Sequence, residues 1–179
     1  MADSSGEARD ALRRKAILEA ARGCFLQFGY AKTSLDDIAQ RANLSRTLIY
    51  KKFKNKEDIF SGLLDFMFEE RYPRADQVLA GPGSRRDKLL QVYELLYVEP
   101  WGELAGTPMV AEFYEVCSRL FPEVDSKHER LRLKYTQALL EPKEIAELFM
   151  LAADGLLSDL PPVRTLRRRL QLLAERFLP

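Results

Sequence analysis

Cations and hydroxyl groups are concentrated in one short stretch of the sequence, which contains Ser45, Arg46, Thr47, Tyr50, Lys51, Lys52, Lys54 and Lys56. If this stretch forms a helix, Ile49 and Phe53 share its inward face, because they are four residues apart. At about 100° per residue, the side chains on or near the outer face are then Thr47, Tyr50, Lys51 and Lys54. Such a surface suits the major groove of DNA, where donors and methyl groups read base edges and cations hold phosphates.

Each of these residues also has a simpler interpretation. The lysines could form an ordinary solvated charge run, as is common on protein surfaces. Tyr50 could pack its ring in the core and do nothing else. Leu48 lies on the flank of the helix, where packing explains it better than contact with a thymine methyl.

Capping residues divide the surrounding chain into short helices. Ser34 or Thr33 can cap a helix, and Asp37 follows Ser34 by three residues, as in a capping box. Asn43 tolerates the positive φ of a turn, and Ser45 caps the next helix. Two short helices joined by a turn of three or four residues predict a helix-turn-helix.

The rest of the chain also reads as helical. A first helix runs from about Asp10 to Phe28, and Gly29 ends it, since glycine readily adopts the left-handed cap. A fourth helix ends near Tyr72, before Pro73. Prolines punctuate five further predicted helices, at residues 85–98, 107–120, 125–140, 142–158 and 162–177. The sequence shows neither the alternation nor the hairpin turns of strands, so the predicted fold class is all-α.

Composition excludes several classes of function. The 179 residues carry a formal net charge of +1, but the first 60 carry +4 and the remainder −3, a weak hint of a polyanion partner at the N-terminal end. Two cysteines and one histidine offer no metal-ligand spacing, and there is no glycine-rich phosphate loop. We therefore predict no enzymatic activity and no cofactor. No apolar run approaches the ~18 residues of a membrane span, and the first residues are not a secretory signal, so we predict no membrane partner and a cytoplasmic location.

The sequence resembles the tetracycline-repressor (TetR) family of transcriptional regulators over about residues 14–60. The motifs that carry the resemblance are TSLDDIA at residues 33–39 and LSRTLIYKKFKNKEDI at residues 44–59. Many relatives have His or Tyr at the positions of Lys51 and Lys52, so this recognition helix is more basic than usual.

The resemblance implies contacts with the DNA backbone in addition to the outer face described above. Tyr50 and Lys56 would hold phosphate or sugar, Lys56 beside the start of the fourth helix, because helix N-termini attract anions. Thr33 and Ser34 could do the same at the second helix. The complete predicted DNA-binding set is Thr33, Ser34, Ser45, Arg46, Thr47, Leu48, Tyr50, Lys51, Lys52, Lys54 and Lys56.

The resemblance also implies an architecture. A three-helix DNA-binding domain would occupy residues 10–56, and a helical domain for ligand binding and dimerisation would occupy residues 57–179. The implied partners are double-stranded DNA with a palindromic operator, a second copy of the chain as homodimer, and an apolar small-molecule effector that releases the DNA. We therefore predict a sequence-specific transcriptional regulator, most simply a repressor. The alternative is a helical adaptor without specific DNA binding.

The last two predicted helices carry more apolar surface than one face needs. We predict that they form the homodimer interface as a four-helix bundle about a two-fold axis, although an intrachain core is the alternative. The predicted interface residues are Ile145, Leu148, Phe149, Ala152, Leu156, Leu166, Leu170, Leu173 and Phe177.

Aromatic and sulfur-containing side chains in the middle of the chain suit an apolar ligand cavity. The predicted pocket residues are Phe66, Tyr93, Tyr97, Trp101, Met109, Phe113, Tyr114, Cys117 and Tyr135. For any one of them, an ordinary place in a helical core is the alternative.

Overall fold

The computed structural model describes residues 3–179 and folds them into helices, with no strand in that range. The helices are α1 (Asp3–Phe28), α2 (Leu35–Ala42), α3 (Arg46–Lys52), α4 (Lys56–Glu69), α5 (Arg71–Ala80), α6 (Arg85–Tyr93), α7 (Glu99–Leu104), α8 (Val110–Leu120), α9 (Pro122–Gln137), α10 (Lys143–Gly155) and α11 (Val163–Phe177). A π-helical turn, Glu94–Val98, lies between α6 and α7. The predicted all-α class is confirmed.

The chain folds into two compact units. The first comprises the residues up to Phe66 together with Thr107–Val124, so it contains α1–α3, most of α4, and α8. The ring of Phe60 lies 5.2 Å from that of Phe25 and 5.0 Å from that of Phe113, measured between centroids. Because Phe113 belongs to α8, this helix shares an aromatic core with α1 and α4.

The second unit comprises Met67–Gly106 and Asp125–Pro179. Its largest fully buried side chains are Tyr93, Trp101 and Phe149. Their polar atoms are satisfied inside the unit: the Tyr93 hydroxyl lies 3.0 Å from Oγ1 of Thr136, and the Trp101 indole N–H donates to the carbonyl of Pro161 at 2.8 Å. Burial raises the pKa of Tyr93 to about 12, so its phenol is neutral at physiological pH.

Two prolines are placed differently from the sequence prediction. α4 ends at Glu69, three residues before the predicted Tyr72, and Pro73 lies in the first turn of α5, where its missing N–H has no intrahelical partner to lose. Pro100 lies in the first turn of α7, and the chain remains helical through it. The turn before it is π-helical, and the N–H of Glu99 donates to the carbonyl of Glu94, five residues back. That wider turn accommodates a proline ring that would collide with the carbonyl four residues back in a regular helix.

The predicted domain boundary at residue 56 does not coincide with the division into compact units. α8 lies far along the chain but belongs to the first unit. Sequence order alone could not indicate this, because a helix is assigned to a core by its tertiary contacts. The functional division into residues 10–56 and 57–179 therefore stays a prediction.

The described residues form neither a membrane-spanning helix nor a metal-binding cluster. No helix within residues 3–179 is both long enough and apolar enough to cross a membrane. In the same part of the chain, no group of three or more His, Cys, Asp or Glu side chains could hold a metal ion. Cys24 and Cys117 are both buried, and desolvation raises the pKa of Cys24, which disfavours the reactive thiolate.

Candidate nucleic-acid interface

Local hydrogen bonds fix both short helices of the predicted helix-turn-helix. The Ser34 hydroxyl accepts the N–H of Asp37, and the Asp37 carboxylate accepts the N–H of Ser34 at 2.8 Å, which completes a capping box. Hydrogen bonds from the Ser34 side chain and backbone lower the pKa of Asp37. Asn43 takes the left-handed conformation with φ 53°, and Ser45 caps α3 by accepting the N–H of Leu48. The predicted caps and turn are confirmed.

The two faces of α3 are as the sequence predicts. Ile49 is fully buried, and Phe53, which follows the helix, is only 5% exposed. Tyr50 is 49% exposed, and the other side chains that face solvent are those of Arg46, Thr47, Lys51 and Lys54. The inward anchors therefore hold a short helix whose outer face carries hydroxyl groups, a ring and cations.

Arg46 and Tyr50 are held together on this outer face. The Arg46 guanidinium lies 5.6 Å above the Tyr50 ring and donates to its hydroxyl at 3.4 Å. It also forms a 3.0 Å ion pair with Asp36 of α2. The hydrogen bond with Tyr50, followed by the charge of Asp36, raises the pKa of Arg46. A phosphate bound here would have to compete with Asp36 for the guanidinium.

Lys56 does not present its charge to solvent as the resemblance implied. Its ammonium group donates to the backbone carbonyls of Tyr30 at 2.8 Å and Thr33 at 3.1 Å. It also lies 4.5 Å above the centre of the Tyr30 ring. In this structure Lys56 stabilises the connection between α1 and α2, so a phosphate contact from its side chain would require it to leave these partners.

Three further predicted DNA contacts are also occupied or covered. Thr33 is only 2% exposed, and its hydroxyl donates to the carbonyl of Gly29 at 2.8 Å. The half-buried Lys52 pairs with Asp10 of α1. Leu48 is half-buried, which agrees with packing as its main role. Thr33 and Lys52 are thus structural in this conformation.

The predicted pocket residues are divided between the two compact units. Phe66, Met109, Phe113, Tyr114 and Cys117 belong to the first unit, and Tyr93, Tyr97, Trp101 and Tyr135 to the second. The four in the second unit are buried, and the hydroxyl of Tyr135 donates to Asp76 at 2.9 Å. Burial, followed by this hydrogen bond, raises the pKa of Tyr135 to about 12. These four side chains are packed core residues in the present conformation.

The linings of two surface grooves of the second unit contain no predicted pocket residue. One, between α9 and α10, has a volume of about 340 Å³ and is lined by Ser126, Glu129, Arg130, Leu133, Glu147, Met150, Leu151 and Asp154. The other, between the α6 region and α11, measures about 240 Å³ and is lined by Leu90, Gln91, Glu94, Val98, Arg167, Leu170 and Gln171.

The predicted dimer residues divide between two faces. Phe149, Leu166 and Leu170 are at most 2% exposed and belong to the core of their own unit. Leu148 is 52% exposed, and the neighbouring Leu151, which lay outside the predicted stripe, is 71% exposed. The half-buried members are Ile145, Ala152, Leu156, Leu173 and Phe177. Phe149 therefore fits the intrachain-core alternative, whereas Leu148 and Leu151 leave apolar surface of α10 exposed; the dimer interface itself stays a prediction.

Sequence reasoning missed residues that hold the helix-turn-helix from a distance. The carboxylate of Glu112, in α8, accepts the backbone N–H of Tyr30 at 3.0 Å, and Tyr30 in turn donates its hydroxyl to Glu57 at 3.0 Å. Burial, followed by this bond to Glu57, raises the pKa of Tyr30 well above its usual range. Glu112 lies 82 positions from Tyr30, so no local pattern could have indicated the contact.

Comparisons with known proteins agree with this geometry. The family of bacterial regulatory proteins called tetR matches residues 17–63. The HTH-type transcriptional regulator YhgD of Bacillus subtilis is 31% identical over 130 residues, which cover 72% of this chain and 68% of YhgD. HTH-type regulator TtgR of Pseudomonas putida is 35% identical, but over only 48% of this chain and 43% of TtgR.

Solved structures show the same fold at low sequence identity. A TetR transcription regulator from Haloarcula marismortui superposes with a TM-score of 0.75 at 16% identity, covering 94% of this chain and all of that one. SmeT, the repressor of a multidrug efflux pump in Stenotrophomonas maltophilia, gives a TM-score of 0.68 at 20% identity, with 92% and 88% coverage. SmeT is also solved in complex with triclosan.

The fold and the exposed face of α3 define a helix-turn-helix transcriptional regulator. The chain belongs to the TetR family. Its function is therefore DNA-binding regulation of transcription, which excludes the adaptor alternative as the main function. The family consists of regulators, not enzymes.

Proposed function

We propose that the chain forms a homodimer that binds a palindromic operator through the outer face of α3 and represses transcription until a small molecule binds. The observation that carries the DNA contact is the division of α3 into a buried anchor and an exposed polar face. Ile49 and Phe53 hold the helix, while Thr47, Tyr50 and Lys51 face solvent. Hydroxyl and ammonium groups in this arrangement can donate to base edges and phosphates in a major groove.

Lys51 is the sharpest test residue for this contact. It is exposed, and in the part of the chain that the structure describes no carboxylate lies within salt-bridge distance of its ammonium group. Lys54 is exposed too, but its backbone N–H takes part in capping α4 through Asp58. Lys134 of α9 offers a matched control, because it is also an exposed helical lysine.

The experiment is selection of bound fragments from random DNA by the purified protein, with Lys51→Ala and Lys134→Ala at the same salt concentration. We expect the wild type and Lys134→Ala to enrich the same palindrome. Lys51→Ala should bind it at least tenfold more weakly, since a lost specific contact costs about 1–3 kcal/mol per half-site. Equal enrichment by all three proteins would contradict the role of Lys51, and no enriched sequence at all would contradict operator recognition.

The homodimer proposal rests on exposed apolar side chains of α10 and α11. Leu148, Leu151 and Leu172 are 52%, 71% and 45% exposed. Leu148 and Leu151 are three residues apart on α10 and so share one side of the helix. Exposed apolar surface of this kind is typical of an interaction surface. A two-fold contact would place the same surface of both copies against each other.

An effector is supported by one structural neighbour. SmeT, which shares the fold, is solved with triclosan bound. Trp101 is the single tryptophan of the chain and is 1% exposed. Triclosan is therefore a practical first probe: binding should change the emission of Trp101 and release the enriched operator over the same concentration range. If neither change occurs up to the solubility limit of triclosan, an effector of this class is contradicted.

A further inference from the structure

One carboxylate from α8 is packed against the backbone where α1 ends. Glu112 accepts the N–H of Tyr30 at 3.0 Å. The preceding residue, Gly29, has φ +87°, and a Cβ there would lie only 2.6 Å from Oε2 of Glu112. The start of α8 makes a second contact, because the N–H of Met109 donates to the carbonyl of Leu26 at 3.1 Å. α8 thus satisfies backbone groups at the C-terminal end of α1 that would otherwise need water.

α4 holds the same connection from another direction. Lys56 binds the carbonyls of Tyr30 and Thr33, and Glu57 accepts the hydroxyl of Tyr30. Within the same connection, the hydroxyl of Thr33 donates a hydrogen bond to the carbonyl of Gly29. Hydrogen bonds that involve charged groups are stronger than neutral ones. Residues 29–33 therefore form a loop, here called the α1–α2 loop, that charged side chains of two helices hold in place.

The α1–α2 loop leads directly into the DNA-reading helices. Ser34, the next residue, is the N-cap of α2, and α2 packs against both α1 and α3. Readout of base edges requires hydrogen-bond geometry within a few tenths of an ångström, whereas contacts with phosphates tolerate small shifts. The placement of α2 and α3 therefore bears more on sequence-specific binding than on general affinity for DNA.

We propose that Glu112 is a positioning residue for operator recognition: by fixing the α1–α2 loop, its carboxylate sets the placement of α2 and α3 for specific contacts. The inference rests on the proposed DNA contact of α3. Glu112 touches no base or phosphate in this proposal and acts only through the backbone of Tyr30. Its loss should lower affinity for the operator much more than affinity for unrelated DNA.

The test compares Glu112→Ala with Glu115→Ala in the wild-type background. Glu115 lies on the same helix, is exposed, and forms only a 3.8 Å surface pair with Arg119, which contributes little to stability. Each protein is titrated with the enriched operator and with a duplex of equal length that lacks it, at one salt concentration. We expect Glu112→Ala to lose at least fivefold in the ratio of specific to non-specific affinity and Glu115→Ala to keep it within twofold. A purely structural loss would lower both affinities together and leave the ratio unchanged.

Two milder variants keep the proposal testable if Glu112→Ala fails to fold. Glu112→Gln retains an acceptor oxygen at the same reach and should keep the ratio within threefold of the wild type. Glu112→Asp withdraws the oxygen by one methylene and should lower the ratio and speed hydrogen exchange at the Tyr30 amide. If Glu112→Asp matches the wild type in both measurements, the proposal is overturned. If the wild type binds the two duplexes equally, operator recognition itself has failed, and this inference with it.

Discussion

Replacement of Lys56 by alanine separates the structural lysines from the DNA-binding ones. The ammonium group makes hydrogen bonds of 2.8 and 3.1 Å to two carbonyls, and a weaker one of 3.4 Å to Ala31. Hydrogen bonds to a charged group contribute about 1.5–3 kcal/mol each. Lys56 is half-buried, so solvent screens its interactions. We therefore halve the summed free-energy contribution of the two shorter hydrogen bonds, which leaves about 2 kcal/mol of stability. The melting temperature should therefore fall by roughly 4–8 °C, at 2–4 °C per kcal/mol for a chain of this size.

DNA binding by the same variant should depend on salt as in the wild type. Each neutralised phosphate contributes about 0.9 to the slope of log K against log salt concentration. Lys51→Ala should thus reduce that slope by about 1.8 in a dimer, which carries two copies of α3. Its melting temperature should change little. Lys56→Ala should instead lower the melting temperature and leave the salt slope unchanged.

The assays are thermal unfolding by circular dichroism and operator titrations at four or more salt concentrations. Lys56→Met serves as a control, because it keeps an unbranched apolar side chain and removes the ammonium group with its charge and its hydrogen-bond donors. It should lose nearly as much stability as Lys56→Ala if the hydrogen bonds matter. An unchanged melting temperature together with a shallower salt slope for Lys56→Ala would refute our reasoning and restore Lys56 as a phosphate contact.

Three further predictions address the loop, the cap and the dimer. Gly29→Ala should destabilise the chain by about 1–2 kcal/mol in chemical denaturation, because a left-handed φ is costly for alanine; stability equal to the wild type would contradict this. The pKa of Asp37 is lowered by Ser34, so its contribution to folding is present above the unfolded-state pKa and lost as pH falls through the lowered one. Asp37→Asn should therefore show a weaker loss of stability on acidification below about pH 4, and identical acid unfolding curves would exclude the effect. Leu151→Glu should shift the mass in analytical ultracentrifugation toward the monomer, whereas Leu12→Glu, at a 67% exposed position of α1, should not; a dimer in both would argue against the α10 surface.

The helix-turn-helix could be predicted from the sequence because its determinants are local. Ser34 and Asp37 are three residues apart, and the side chain of Ser45 accepts the N–H of Leu48. Asn43 adopts the left-handed backbone conformation of the turn. Each of these interactions is encoded within four positions. Residue type and spacing therefore suffice to place them, as they suffice to orient α3 by its two apolar anchors.

α10 carries apolar residues whose roles periodicity alone does not distinguish. Apolar residues occur around most of its circumference, so periodicity cannot select the buried face. The stripe predicted for the homodimer interface is centred near Ile145 and Ala152, whereas the side chains buried within the chain are Ala146, Phe149, Met150 and Ala153. At about 100° per residue the two centres differ by roughly a quarter turn. Which apolar side of α10 is buried within the chain is determined by the packing of the second unit.

The lysine cluster around α3 illustrates the limit of charge as a guide to function. In the sequence its members are equivalent cations, and together they suggested one phosphate-binding surface. In the structure Lys52 pairs with Asp10 and Lys56 binds the α1–α2 loop, while Lys51 and Lys54 face solvent. The local excess of positive charge therefore serves two purposes. Lys52 and Lys56 hold the helix-turn-helix together and would act on DNA only indirectly. Lys51 and Lys54 remain available for contacts with DNA. The partners of Lys52 and Lys56 lie 23 or more positions away in the sequence. A count of basic residues therefore overstates the number of phosphates that the helix-turn-helix of each copy can neutralise.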